Sequence, residues 1–273
     1  MKDIPPLIIF TDLDGTLLDS ESYSFEDAKQ ALEIIRKKDI PLIFSTSKSR
    51  DETIYYRKLM ENNHPFIVEN GGGIYIPFNY FNFELSYNRK WNGYIIIELG
   101  MPIKKIRELI HKIRDKNGWQ IKGFGDMDVE EVMNLTSLPY NQAKLAIVRE
   151  YDEPAVIHDR DIIPYLRKEL LKEKLNLTIG GRFIHIHGDN DKGKAMDKLV
   201  RFYKKVNPNI KIIALGDSDN DLPMLKRADI PIVIKRKDGT FLKKDDSSWR
   251  ISPYPAPKGW ACVIEEVLED LNF

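Results

Sequence analysis

Residues 7–45 constrain the fold more than any other stretch of the chain. Residues 7–11 (LIIFT) form a short apolar run that ends at a polar loop, the pattern of a buried strand. Ala28, Ala31, Leu32 and Ile35 then recur at i, i+3, i+4 and i+7, which is one face of a helix. Residues 41–45 make a second buried run. Strand, helix and strand in such close succession form a βαβ unit, which requires a parallel sheet and a right-handed crossover.

The same texture continues and later returns. Ser49 followed by Glu52 is a capping-box signature, opening a helix that runs to about residue 61. Residues 66–68 read as a third strand, with Gly71-Gly72-Gly73 as a turn out of it. Much later come a helix over 194–205, a strand over 210–215, a short helix over 219–227, a strand over 230–234 and a closing helix over 261–271. Between residues 82 and 180 the pattern differs, with strands expected at 94–99 and 120–123 and helices at 103–116, 129–135, 141–149 and 161–174. The expected fold class is therefore α/β. A Rossmann-like parallel-sheet core is formed by 1–81 and 181–273, and an α+β domain, 82–180, is inserted with joins near 79–82 and 180–182.

Charge narrows the partners. Lys+Arg and Asp+Glu both total 42, and nucleic acid or an anionic membrane is ordinarily met by a basic surplus. A small-molecule substrate is expected, with no nucleic acid and no membrane. No apolar stretch approaches the roughly 18 residues of a membrane span, and the N-terminal apolar run is broken at once by Asp12 and Asp14. The single cysteine, Cys262, offers neither a disulfide nor a zinc framework and reads as a small buried apolar residue. A soluble, cytoplasmic protein is the expectation.

Two acidic loops each follow a predicted buried strand: Asp12-Leu-Asp-Gly-Thr16 and Gly216-Asp-Ser-Asp-Asn-Asp221. In open parallel sheets, ligand sites form beyond the carboxyl ends of strands, so both loops can converge at one edge. Carboxylates gathered there repel unless a cation sits among them, and hard oxygen donors without His or Cys select Mg²⁺ or Mn²⁺. A carboxylate nucleophile beside such a cation can accept a phosphoryl group, while a second Asp serves as acid and base. The EF-hand alternative fails: counted from Asp217, the sixth position is Leu222 and the twelfth Ala228, where Gly and Glu belong. Gly188-Asp-Asn-Asp-Lys-Gly-Lys-Ala195 nearly matches a P-loop, but Ala195 lacks the metal-binding hydroxyl. Asp189 and Asp191 would also face the phosphates. Lys192 or Lys194 is instead expected to bring one cation to the carboxylates. Thr46, just past the second strand, is placed to donate a hydroxyl hydrogen bond. His185 and His187 share one strand face but have no third ligand, which argues against a metal site there.

Taken together, these residues resemble the haloacid dehalogenase superfamily of phosphatases. Asp12-Leu-Asp-Gly-Thr16 is similar to its first motif and Thr46 to the second. Lys192 in Asp191-Lys-Gly193 is similar to the third, and Gly216-Asp-Ser-Asp-Asn-Asp221 to the fourth. The resemblance implies that Asp12 is the nucleophile and Asp14 the general acid/base, with Thr46 and Lys192 binding phosphoryl oxygens. It implies Mg²⁺ held by the Asp12 carboxylate, the Asp14 carbonyl and Asp217, with Asp221 orienting the metal site from behind. The inserted segment becomes a substrate-specificity cap.

A narrower set of residues resembles the branch of that superfamily that dephosphorylates mannosyl-3-phosphoglycerate to the compatible solute mannosylglycerate. It comprises Thr46-Ser-Lys-Ser-Arg50, Pro65-Phe-Ile-Val-Glu-Asn-Gly-Gly-Gly73, Gly125-Asp-Met-Asp-Val-Glu-Glu131 and Gly181-Arg-Phe-Ile-His185. Glucosyl-3-phosphoglycerate or another sugar phosphate is the alternative substrate, and a phosphomutase a more distant reading. Such a substrate carries phosphate and carboxylate. Lys48, Arg50, Arg149 and Arg182 are candidate cations for it, and Ser47, Asn70, Gly71 and Gly72 are candidate contacts.

Overall fold

The computed structural model describes residues 5–180, 183–243 and 248–273. The chain opens with β1 (Leu7–Thr11), α1 (Lys29–Lys37), β2 (Leu42–Ser45), α2 (Arg50–Leu59), β3 (Phe66–Val68) and β4 (Gly73–Pro77). A hairpin of β5 (Arg89–Trp91) and β6 (Tyr94–Glu98) follows. Next come α3 (Ile103–Asn117), β7 (Ile121–Gly123), α4 (Val129–Thr136), α5 (Tyr140–Ile147), β8 (Asp152–Ile157), α6 (Ile163–Lys172), β9 (Asn176–Ile179) and β10 (Ile184–His187). The last third holds α7 (Lys192–Val206), β11 (Lys211–Gly216), α8 (Leu222–Leu225), β12 (Ile230–Lys235), β13 (Arg250–Pro255) and α9 (Lys258–Asp270).

Nine strands form one sheet in the order β13-β12-β11-β1-β2-β3-β4-β6-β5. From β13 to β3 the pairs are parallel, and beyond β3 they are antiparallel. Every residue of β1 is buried because helices cover both faces, which is why the strand reads as an uninterrupted apolar run. Leu7 and Ile9 pack with Ala31 and Ile35 of α1 and Trp260 and Ile264 of α9. Ile8 and Phe10 point the other way, to Met196 and Leu199 of α7 and Met224 of α8. The predicted α/β class is thus present, with β1 at its centre.

The inserted unit is a four-stranded antiparallel sheet, β7-β8-β10-β9. One face is packed by α3 and α6 through Ile106, Ile110, Leu166 and Leu170. α4 and α5 form a separate apolar cluster around Val132, Leu138 and Ala143. The seams between the units differ from those expected near 79–82 and 180–182. β6 runs a five-pair ladder along β4, from Gly73↔Glu98 to Pro77↔Tyr94, so the hairpin completes the large sheet. β10 pairs with β8 and β9 and buries Ile184 and Ile186 in the inserted unit. Sheet pairing therefore puts the seams between β6 and α3 and between β10 and α7.

Other expectations shift less. Gly73 opens β4 instead of ending a turn, and the helix expected over 141–149 stops at Ile147. Cys262 is half-buried on α9. Among the described residues no helix is long and apolar enough to cross a membrane.

Candidate active site

Parallel register brings the two acidic loops together. Thr11 pairs with Leu215, and the Asp12 N–H donates to the Leu215 carbonyl at 3.0 Å, so Asp12 and Asp217 leave adjacent strands at the same edge. Gly15 lets the first loop turn back: its φ is +76°, and a side chain there would start 3.0 Å from Asp217 Oδ2. Thr16 fastens the loops by donating its hydroxyl to Asp217 Oδ1 at 2.9 Å.

Lys192 enters from the first turn of α7, whose N-terminus is capped by Asp191 accepting the Lys194 N–H at 2.7 Å. The Lys192 side chain is fully buried, and its ammonium donates to Asp12 Oδ1 at 2.7 Å and to Asp221 Oδ1 at 2.6 Å. The sequence offered Lys192 or Lys194. Lys194 turns outward to the Asp189 carbonyl and carboxylate at 2.6 and 2.8 Å, so Lys192 is the site cation. Asp221 Oδ2 accepts the Asp217 and Ser218 N–H groups, both at 3.1 Å. With both oxygens engaged, Asp221 positions its neighbours from behind.

Oxygens of Asp12, Asp217 and Asp221 all lie within 4.8 Å of one another. Burial lifts the Asp12 carboxyl to about 7; Lys192 pulls against that shift, while Asp221 and Asp14 add to it. Asp217 is raised well above the ordinary range by burial, then by Asp221 and Asp12. One lysine does not balance three carboxylates. A hard divalent cation would supply the missing charge, and the all-oxygen donor set fits one.

Asp14 lies beside Asp12 with its Oδ2 held by the Lys48 ammonium at 2.9 Å; among the described residues its Oδ1 has no hydrogen-bond partner. Lys48 is buried, lies 3.4 Å from Glu52 Oε1 and sits over the Tyr23 and Tyr56 rings at 4.9 and 5.4 Å. Burial opposes its charge, but Asp14 and Glu52 prevail and hold its pKa above the ordinary lysine value. Thr46 is fully buried past the end of β2, and its hydroxyl oxygen accepts the Lys48 N–H at 3.1 Å.

A cavity of about 180 Å³ opens over these groups and is roofed by the inserted unit. Ser47, Lys48 and Arg149, three of the expected substrate contacts, line it. Arg149 is buried there, donating to the Ser47 carbonyl at 2.8 Å and to Asp152 Oδ2 at 3.1 Å. Arg50, Asn70, Gly71 and Gly72 do not line the cavity. Arg50 pairs with Asp51 and Glu150 and stacks on Trp91 at 4.0 Å, bracing the two units. Asn70 donates to Asp152 Oδ2 at 2.8 Å and accepts from Asn220 at 3.0 Å. Gly71 lies against the Asp191 carbonyl and Gly72 against Tyr151, so their missing side chains permit packing and not sugar contact. Arg182 lies outside the described residues.

Sequence reasoning passed over several groups that line the cavity: Tyr23, Glu52, Phe124, Phe183 and Asn220. Glu52 was legible only as a helix cap. His185 was weighed as a metal ligand. It instead pairs Nδ1 with Asp152 Oδ2 at 2.8 Å and lines the cavity, while His187 turns to Thr178 and the Gly188 carbonyl.

The haloacid dehalogenase-like hydrolase family model matches residues 9–246. A glucosyl-3-phosphoglycerate/mannosyl-3-phosphoglycerate phosphatase from Methanococcoides burtonii is 47% identical over 86% of each chain. A second of that name, from Persephonella marina, is 42% identical over 97% of this chain and 98% of its own. The mannosyl-3-phosphoglycerate phosphatase of Pyrococcus furiosus is 38% identical over 83% and 90%. Among solved structures, a Thermoplasma acidophilum protein superposes with a TM-score of 0.69 at 16% identity, over 97% of this chain and 98% of its own. A haloacid dehalogenase-like hydrolase from B. subtilis does so with 0.68 at 16%, over 96% and 100%.

Proposed function

The chain belongs to the haloacid dehalogenase-like hydrolases, and from that premise we propose that it is a Mg²⁺-dependent phosphatase releasing phosphate from mannosyl-3-phosphoglycerate and glucosyl-3-phosphoglycerate. The observation that carries the chemistry is the constellation of buried Asp12, Lys192 and Asp221 with half-buried Asp217 under a roofed cavity. The sugar specificity is supported by relatives of that name that match almost the whole chain.

In this reading the Asp12 oxygen not bonded to Lys192 attacks phosphorus. The bond from phosphorus to the glycerate oxygen breaks, and Asp14 gives its proton to the departing alkoxide. Water then attacks the aspartyl-phosphate, Asp14 takes the water proton, and Asp12 is restored as phosphate leaves. Lys192 steadies Asp12 through Oδ1, and Lys48 holds Asp14 at the mouth of the cavity. Asp12, Asp217 and the Asp14 carbonyl would hold Mg²⁺, which neutralises charge on the phosphoryl oxygens. The inserted unit serves as the specificity cap, with Arg149 and Lys48 available to the anionic end of the substrate.

Phosphate release measured over mannosyl- and glucosyl-3-phosphoglycerate and simple hexose phosphates, with and without Mg²⁺, tests both halves. The two glycosyl esters are expected to exceed the hexose phosphates by orders of magnitude in kcat/KM, and chelation to stop turnover. Uniform rates across the panel refute the substrate assignment, and metal-independent release refutes the mechanism.

A further inference from the structure

The cap offers the cavity few polar groups, and one of them is built with more support than packing needs. His185 lies on β10, nine-tenths buried, with Nδ1 on Asp152 Oδ2 at 2.8 Å. Asp152 is fully buried and holds three donors on that one oxygen, from Arg149, Asn70 and the imidazole. Burial alone would raise its carboxyl, but His185 and Arg149 outweigh burial and hold it down at about 2. An ionised carboxylate only accepts, so the imidazole donates to it from Nδ1, and the ring is held with Nε2 as its other polar atom. The surrounding cavity wall is apolar, made by Phe124, Leu138, Pro154 and Phe183, with the two phenylalanine rings in edge contact at 5.1 Å.

An apolar, partly aromatic wall with one oriented ring nitrogen suits the C–H face and a hydroxyl of a sugar ring. We propose that His185, oriented by Asp152, is a specificity-determining residue whose Nε2 hydrogen-bonds a hydroxyl of the substrate's glycosyl ring against the Phe124–Phe183 wall. This inference rests on the phosphatase reading above and deepens it. It also gives the Asn220–Asn70–Asp152 chain a task, since that chain ties the acidic loop at the phosphoryl end to the sugar pole, with Asn220 to Asn70 at 3.0 Å.

Two substitutions separate the ring nitrogens. His185→Asn can keep the donor to Asp152 and has nothing where Nε2 lies; His185→Gln can place an amide oxygen near the Nε2 position. The quantity to read is the ratio of kcat/KM for glucosyl-3-phosphoglycerate to that for p-nitrophenyl phosphate, which carries no sugar. His185→Asn is expected to lower that ratio about tenfold, the worth of one lost hydrogen bond, with His185→Gln recovering part of it. If the ratio is the wild-type one in both variants while wild type turns over the glycosyl ester, the role of His185 is refuted and the phosphatase reading stands. If wild type hydrolyses p-nitrophenyl phosphate but neither glycosyl ester, the substrate reading falls and this inference falls with it.

Discussion

At the scale of single residues, the chemistry concentrates on Asp12, whose carboxyl is buried among like charges and steadied by one ammonium. Asp12→Asn keeps the shape and removes both the proposed nucleophile and a repelling charge. Phosphate release should fall below about a thousandth of wild type, while the melting temperature stays level or rises because Asp217 and Asp221 lose a neighbour of the same sign. Substantial turnover in a folded variant would reassign the nucleophile. The acidic loops made Asp12, Asp14 and Asp217 legible in the sequence, because few other folds need two such loops after buried strands. Arg50, Asn70 and Gly72, expected as substrate contacts, are engaged within the protein instead of lining the cavity. Their true partners, Glu150, Asp152 and Tyr151, lie about 80 to 100 residues further along the chain, and no local pattern announces them.

Elements were legible where their signals are local. The Ser49–Glu52 capping box is present as read, with Ser49 Oγ accepting the Glu52 N–H at 3.2 Å and Glu52 Oε2 accepting the Ser49 N–H at 2.9 Å. Ser49→Ala should cost roughly 1 kcal/mol and lower the melting temperature by about 3 °C, which calorimetry can check. Strands β8 and β13 were not legible, since Asp152-Glu153-Pro154 reads as a polar turn and β13 holds two prolines. Asp152 and Glu153 are buried in β8 only because Arg149, His185 and Arg107 reach them. The Asp152 carboxyl titrates near 2, below its ordinary 3.8. A depressed carboxyl stabilises the fold fully above its unfolded pKa and loses that contribution as pH falls through the folded value. The stability difference between wild type and Asp152→Asn should therefore shrink by roughly 2 kcal/mol from pH 5 to pH 2. Denaturant titrations at stepped pH measure it, and a constant difference would contradict the assignment.

At the scale of the whole molecule, the inserted unit is closed over the sheet. Tyr23 donates to the Thr136 carbonyl at 3.0 Å, Ser49 to the Leu145 carbonyl at 2.9 Å and Arg149 to the Ser47 carbonyl at 2.8 Å. Glu69 reaches across and accepts the N–H groups of Glu150, Tyr151 and Asp152. The cavity of about 180 Å³ is below the roughly 300 Å³ of a small-molecule site, and a second hollow that shares Gly15, Ser20, Asp217 and Ser218 adjoins it, so these cross-unit contacts shape the space a glycosyl ester would enter. Tyr23→Phe removes one closing hydrogen bond and keeps the ring under Lys48. KM should rise about fivefold with kcat retained, and steady-state kinetics that leave KM unmoved would show that this contact does not contribute to closure.

The placement of β1 between β2 and β11 has a consequence for biogenesis. Strand β1, which leads into Asp12, leaves the ribosome long before its neighbour β11, which starts at Lys211. In that interval, one edge of the central strand has no native partner to receive it, and an unpaired apolar edge is where chains pair wrongly. No N-terminal fragment can be active, because the carboxylates assemble last. A nascent chain arrested before β11 should therefore occupy chaperones more heavily than one arrested just after it.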